Sequence, residues 1–184
     1  FVYEDADNDG FFDAGEAPIA GVTILLSGTR SSDGSPVSFV GATSGAGLWQ
    51  FVGIPAGTYT VTEIQPFGYL DGRETPGAGA GGAVVGNDVF GGLDVAGMGG
   101  LNYNFGELRP ASLSGYVYFD VDNDGEAGFG EPVIPGVVIV LSGTAWDGAP
   151  ALLTATTLAN GNYAFGGLAP GAYTLTEQQP AGWL

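Results

Sequence analysis

Two stretches of the chain place a carboxylate at every second position. The first reads Asp5-x-Asp7-x-Asp9-Gly10-Phe11-x-Asp13-x-x-Glu16, and the second reads Asp120-x-Asp122-x-Asp124-Gly125-Glu126-x-Gly128-x-x-Glu131. Alternate residues of a curled loop converge on one point. A twelve-residue loop with oxygen donors at positions one, three, five, seven, nine and twelve is the pattern that surrounds a calcium ion, which takes six to eight oxygens at about 2.3–2.6 Å. On this reading Asp5, Asp7 and Asp9 give side-chain oxygens. Phe11 gives its backbone carbonyl, Asp13 a direct or water-mediated contact, and Glu16 a bidentate carboxylate. In the second stretch the same parts fall to Asp120, Asp122, Asp124, the carbonyl of Glu126, and Glu131, while Gly128 at position nine offers only a water. The ion expected is Ca2+, at least one per stretch. Without a cation such acids repel one another strongly. A solvated acidic turn is the other reading of each stretch, and the recurrence of the full pattern favours the ion.

Little else in the composition points to chemistry. The chain has no Cys and no His, which removes thiol nucleophiles, the usual zinc sites and His-based triads. With no Lys or His base either, no general acid–base apparatus is legible, and an enzyme is not expected. Twenty acidic residues against three Arg give a net charge of −17. Nucleic acid is therefore excluded as a partner, because no basic patch exists to release counterions from phosphates. An anionic membrane surface would repel the chain, and no apolar run is long enough to insert in a bilayer from this segment.

The elements that must carry the acidic stretches are short strands. Glycine and proline number 35 and 11 of 184 residues, a density that long helices do not tolerate, while 45% of the residues are hydrophobic. The chain also repeats itself. Phe1-Val2-Tyr3-Glu4-Asp5-Ala6-Asp7-Asn8-Asp9-Gly10 returns as Tyr116-Val117-Tyr118-Phe119-Asp120-Val121-Asp122-Asn123-Asp124-Gly125. Leu26-Ser27-Gly28-Thr29 returns as Leu141-Ser142-Gly143-Thr144, and Gln65-Pro66-Phe67-Gly68-Tyr69-Leu70 as Gln179-Pro180-Ala181-Gly182-Trp183-Leu184. One copy covers residues 1–109 and the next 110–184. The second has nothing equivalent to 71–109, and the first lacks a counterpart of 111–115, as if both were cut from a tandem array. The junction has no Gly/Ser tether, so neighbouring copies are expected to have restricted relative motion.

Period-two alternation predicts strands at 22–26 and 137–141, 37–43 and 152–157, 48–52 and 163–165, and 58–64 and 172–177. Two more are expected near 87–95 and 101–108, after an irregular loop over 76–86. The chain opens in a short apolar strand, so each acidic loop would link the first two strands of its copy. Pro and Gly after each loop oppose a helix there. Seven or so short strands per copy predict an all-β protein of tandem Ig-like or prealbumin-like sandwiches.

These motifs together resemble the SdrD B-like domain, of the collagen-adhesin B-type group of bacterial surface repeats. The resemblance rests on the Asp-x-Asp-Asn-Asp-Gly loop, Gly-x-(Tyr/Trp)-x-Phe, Pro-Gly/Ala-Gly-x-Tyr-Thr, the Thr-Glu that follows, Gln-Pro-x-Gly-(Tyr/Trp)-Leu, and Asn102-Tyr103-Asn104-Phe105-Gly106-Glu107. It implies a secreted bacterial protein at the cell surface, whose calcium-stiffened repeats serve as rigid stalk, spacer, adhesin or fibre segments. Partners would be neighbouring repeats of the same chain, or further copies in lateral or end-to-end assembly. Many relatives carry a Lys–Asn isopeptide bond promoted by a Glu that Glu63 and Glu177 match. With no Lys the bond cannot form here, and Glu63 is expected at the water-exposed rim. The other functional reading is a module that binds carbohydrate or a host protein. Trp146, Tyr69 and Trp183 are its candidate contacts, with Trp49 expected in the core.

Overall fold

In the computed structural model, residues 1–97, 99–180 and 182 are described, and the chain divides into two compact units, Phe1–Arg109 and Pro110–Leu184. All regular structure among the described residues is β.

Unit 1 has eight strands: β1 (Val2–Glu4), β2 (Thr23–Arg30), β3 (Pro36–Ala42), β4 (Gly57–Glu63), β5 (Leu70–Thr75), β6 (Ala83–Gly86), β7 (Val89–Val95) and β8 (Asn104–Leu108). One sheet runs β3-β2-β4-β7-β6 and the other β1-β8-β5. The alternation of β4 turns Tyr59, Val61 and Glu63 inward, between exposed or half-buried threonines. Between the sheets lie Val2, Ile24, Leu26, Tyr59, Val61, Phe90 and Phe105. Phe90 sits at the centre, with ring centroids 4.7 Å from Phe105 and 5.3 Å from Tyr103. The first and last strands, β1 and β8, pair in parallel, Val2 opposite Phe105.

Unit 2 repeats part of this plan with β9 (Ala111–Tyr116), β10 (Val138–Ala145), β11 (Pro150–Thr156), β12 (Asn162–Leu168) and β13 (Gly171–Gln178). Its sheets are β11-β10-β13, which matches β3-β2-β4, and β12-β9. Its smaller core is Val117, Val137, Ile139, Leu141, Phe165 and Leu168. Among the described residues of unit 2 no strand matches β5 to β8, and inward positions of β13 are less covered than those of β4. Leu175 is 41% exposed where its counterpart Val61 is 2% exposed.

The recurring Ser-Gly-Thr has a steric cause. A Cβ on Gly28 would lie 2.6 Å from the Tyr59 ring, and one on Gly143 would lie 2.9 Å from that of Tyr173. Each tyrosine crosses the bare glycine and donates its hydroxyl hydrogen to a turn carbonyl, that of Pro55 at 2.7 Å and that of Ala169 at 2.6 Å.

The structure corrects three expectations. Residues 48–52 form no strand, although the matching segment of unit 2 does. In unit 2 that segment, β12, is paired with β9, whereas 48–52 joins no ladder. Residues 76–86 are not wholly irregular, since β6 pairs with the edge of β7. Glu63 is not at a wet rim but is 2% exposed. β5, whose Asp-Gly-Arg-Glu run shows no apolar alternation, was not expected and pairs with β8 across a bulge.

Candidate metal centre

Each acidic loop hangs between the first strand of its unit and the next long strand, held at both ends by backbone hydrogen bonds. In unit 1 the Asp5 N–H donates to the Glu107 carbonyl at 2.9 Å, which prolongs the β1–β8 ladder into the loop, and Glu4 N–H donates to Ala17 O at 2.8 Å. The loop exit is fixed by a buried threonine. Thr43 Oγ1 accepts from Val22 N at 2.9 Å and donates to Ile19 O at 2.7 Å. Thr157 does the same in unit 2, accepting from Val137 N at 2.8 Å and donating to Ile134 O at 2.9 Å. Spanning the two ends of the exit segment, these hydroxyls set where the loop leaves off and the strand begins.

Inside the loops the two units repeat one hydrogen-bond scheme. Asp5 Oδ1 and Oδ2 accept from the backbone N–H groups of Asp9 and Gly10 at 3.1 and 2.8 Å. Asp120 accepts from Asp124 and Gly125 at 3.2 and 3.0 Å. Asp9 Oδ1 accepts from Phe11 N at 2.8 Å, as Asp124 Oδ1 does from Glu126 N at 2.7 Å. Glu16 reaches back across its loop, accepting from Ala6 N and Asp13 N, both at 2.9 Å. Glu131 accepts from Val121 N at 2.8 Å and Gly128 N at 2.7 Å. The curl itself needs left-handed backbone at two places, Asn8 and Gly10 (φ 57° and 87°) and Asn123 and Gly125 (φ 59° and 80°). Asn and Gly are the residues that adopt it at least cost.

The result is a pair of matching carboxylate trios. Asp5, Asp7 and Glu16 each bring an oxygen within 4.8 Å of the others, and so do Asp120, Asp122 and Glu131. These are positions one, three and twelve of the twelve-residue pattern. Asp9 and Asp124, at position five, stand outside the trios with one oxygen on the backbone N–H two residues ahead. Asp13 is also outside, and Phe11 has an exposed ring. A set of three hard oxygens with loop carbonyls nearby suits calcium by ligand type. Asp5 is fully buried, and desolvation pushes its carboxyl above the ordinary range, while the N–H groups of Gly10 and Asp9 oppose that shift. The neighbouring acids raise the Tyr3 hydroxyl further, beyond the effect of its own burial.

The aromatic candidates do not gather. Trp49 packs half-buried with its ring centroid 6.1 Å from Phe51 and 6.2 Å from Phe105. Tyr69 lies under the Arg109 guanidinium at 6.0 Å, Trp146 is half-buried, and Trp183 lies outside the described residues. The buried acids Glu63 and Glu107 face each other from the two sheets, and Glu107 carries no signal in the sequence beyond the inward parity it shares with Phe105 on β8.

Comparison with known proteins gives the wider setting. Residues 1–84 and 111–184 match the family model of the SdrD B-like domain. The chain is 33% identical over 184 residues to serine-aspartate repeat-containing protein C of Staphylococcus aureus strain N315, covering 99% of this chain and 18% of that protein. It is 29% identical over 184 residues to serine-aspartate repeat-containing protein F of Staphylococcus epidermidis, covering 100% of this chain and 10% of that one. The chain thus spans less than a fifth of the length of these relatives. Among solved structures, GBS52, the minor pilin of Streptococcus agalactiae, aligns at 15% identity and a TM-score of 0.38, covering 98% of this chain and 82% of that one. The Bacillus anthracis TIE protein aligns at 19% identity and a TM-score of 0.40, covering 100% of this chain and 29% of that one.

Proposed function

The chain belongs to the family of SdrD B-like domains, and from that premise we propose that it is a calcium-stabilised structural repeat of a bacterial surface stalk, adhesin or fibre. In this reading it acts outside the cell as a rigid spacer, with neighbouring repeats of its own chain as its partners. The observation that carries the proposal is the duplicated trio of Asp5, Asp7 and Glu16 and of Asp120, Asp122 and Glu131, each set into the same hydrogen-bonded loop. A calcium ion in each loop joins the end of the first strand to the exit segment ahead of the next long strand. It also removes the repulsion that otherwise opens the loop. No catalytic role is proposed, because the clustered carboxylates are better used by the cation and the chain offers no His or Lys base.

The test is thermal unfolding with calcium and with chelator. At a free calcium concentration of about 100 Kd, linkage predicts about 2.7 kcal/mol of added stability per site. In a chain carrying both Glu16→Gln and Glu131→Gln the share of that gain that belongs to the two loops should be lost. Superimposable melts with calcium and chelator would end the proposal.

A further inference from the structure

Unit 1 contains a second group of carboxylates that the loop does not use. Glu63 closes the inward row of β4, 2% exposed, and Glu107 faces it from β8, 0% exposed. Neither carboxyl oxygen of Glu63 receives a hydrogen bond, nor does Oε1 of Glu107. Glu107 Oε2 accepts from the Gln65 side-chain amide, which orients it. A third acid arrives from the β6–β7 turn. Asp88 sits at φ 58°, its carbonyl accepts from Glu63 N at 2.9 Å, and its Oδ1 lacks a donor. Glu63, Asp88 and Glu107 each bring an oxygen within 4.8 Å of the others. Asp71 and Glu74 on β5 form a similar group with the same Asp88, all three half-buried, so the carboxylates continue from the interior towards the surface.

Buried carboxyl oxygens without donors are costly unless a cation or a proton answers them. No Lys exists in the chain to do so, Arg30 and Arg109 are engaged with Asp33 and Glu4, and Arg73 on β5 is exposed whereas Glu63 and Glu107 are buried. We propose that Glu63, Glu107 and Asp88 hold a further calcium ion inside the sandwich of unit 1, distinct from the loop ion. The donors are all hard oxygens, which selects a hard divalent cation over zinc or copper. The chain of Asp71 and Glu74 gives the ion a way in. A bound ion there bolts β4 of one sheet to β8 of the other. Among the described residues of unit 2 the matching Glu177 is exposed.

Equilibrium dialysis of the whole chain against calcium at neutral pH tests the assignment without depending on the loops. The expected result is one ion fewer for Glu63→Gln/Glu107→Gln than for the unaltered chain, with that ion retained by Glu16→Gln/Glu131→Gln. Asp88→Asn, at a half-exposed position that leaves the core intact, should weaken the same ion at least tenfold and leave the others unchanged. Equal ion numbers in the unaltered chain and in Glu63→Gln/Glu107→Gln overturn the site and leave a shared proton between the two acids. If that double variant does not fold, an unaltered titration for Asp88→Asn overturns it alone. Loss of nothing in Glu16→Gln/Glu131→Gln would speak against the loops only.

Discussion

The two loops offer an internal comparison for one substitution, glycine to alanine at the sixth position. Gly10 and Gly125 have nearly the same backbone, φ 87° and 80°. Alanine in that region costs about 1–2 kcal/mol from Cβ crowding alone. The surroundings differ. A Cβ on Gly125 meets nothing within 4 Å, whereas one on Gly10 lies 2.7 Å from Thr75 Oγ1. That hydroxyl also donates to the Gly10 carbonyl, so it must move and give up its bond, which adds about 0.5–1.5 kcal/mol. Gly10→Ala should therefore cost about 1.5–3.5 kcal/mol in unit 1 and Gly125→Ala about 1–2 kcal/mol in unit 2. The assay is urea unfolding in calcium, with Trp49 as the unit 1 reporter in a Trp146→Phe/Trp183→Phe background and Trp146 as the unit 2 reporter in a Trp49→Phe/Trp183→Phe background. A Gly10→Ala/Thr75→Ala double-mutant cycle isolates the contact and should show a coupling of about 1 kcal/mol. Equal costs at the two glycines with no coupling to Thr75 would refute the argument that β5 braces the loop.

Thr43→Val and Thr157→Val each strand a buried N–H and a buried carbonyl at a loop exit, and each should cost about 1–3 kcal/mol by urea unfolding, with weaker calcium binding in the affected unit. The first loop has five carboxylates at positions expected to ligate through the side chain and the second four, Glu126 being expected to offer its backbone carbonyl, so calorimetry should find tighter calcium binding in the Glu131→Gln chain, which keeps the first loop, than in the Glu16→Gln chain, which keeps the second. In chelator, burial lifts Glu107 to about 8 and Glu63 higher, so folding retains protons that the unfolded chain loses above about 4.5. Stability is then greatest at low pH and falls as pH rises towards 8, by about 1.4 kcal/mol per pH unit for each proton retained. Urea midpoints across pH 5.5 to 7.5 should show that slope, and Glu63→Gln/Glu107→Gln should reduce it, leaving the part that comes from Asp71, lifted by burial to about 7, and Asp88, lifted to about 6.

Repetition made much of the fold legible. The ladder partners β2, β3 and β4 carry β-branched and aromatic residues in period two, and each recurs in unit 2. β5 (Leu-Asp-Gly-Arg-Glu-Thr) and β6 (Ala-Val-Val-Gly) show no such alternation, because they are edge strands whose pairing is dictated by the neighbouring strand. The segment 48–52 shows the converse. Its alternation is that of a strand, yet a strand exists only with a partner. In the loops, spacing anticipated the convergence of Asp5, Asp7 and Glu16 and of Asp120, Asp122 and Glu131. Spacing did not reveal that Asp9 turns one oxygen to its own backbone, because that choice is made by the local hydrogen bond. Glu63 was misjudged for a related reason. Parity turned it inward, but the usual exposure of glutamate argued for water, and only the facing Glu107, distant in sequence, explains why the interior here is acidic.

The parallel pairing of β1 and β8 decides how unit 1 carries tension. The two strands run the same way, so a force that draws β1 and β8 apart along their axes slides one past the other. Val2, Tyr3 and Glu4 are loaded against Phe105, Gly106 and Glu107 together. Hydrogen bonds strained sideways in this manner share the force, where a hairpin pulled open at one end would surrender them one at a time. The Asp5–Glu107 backbone bond and the Arg109–Glu4 ion pair at 2.6 Å lie at the same seam. The acidic loop starts at the very residue where that seam ends, so an ion held there would lock the last bond that shear must break.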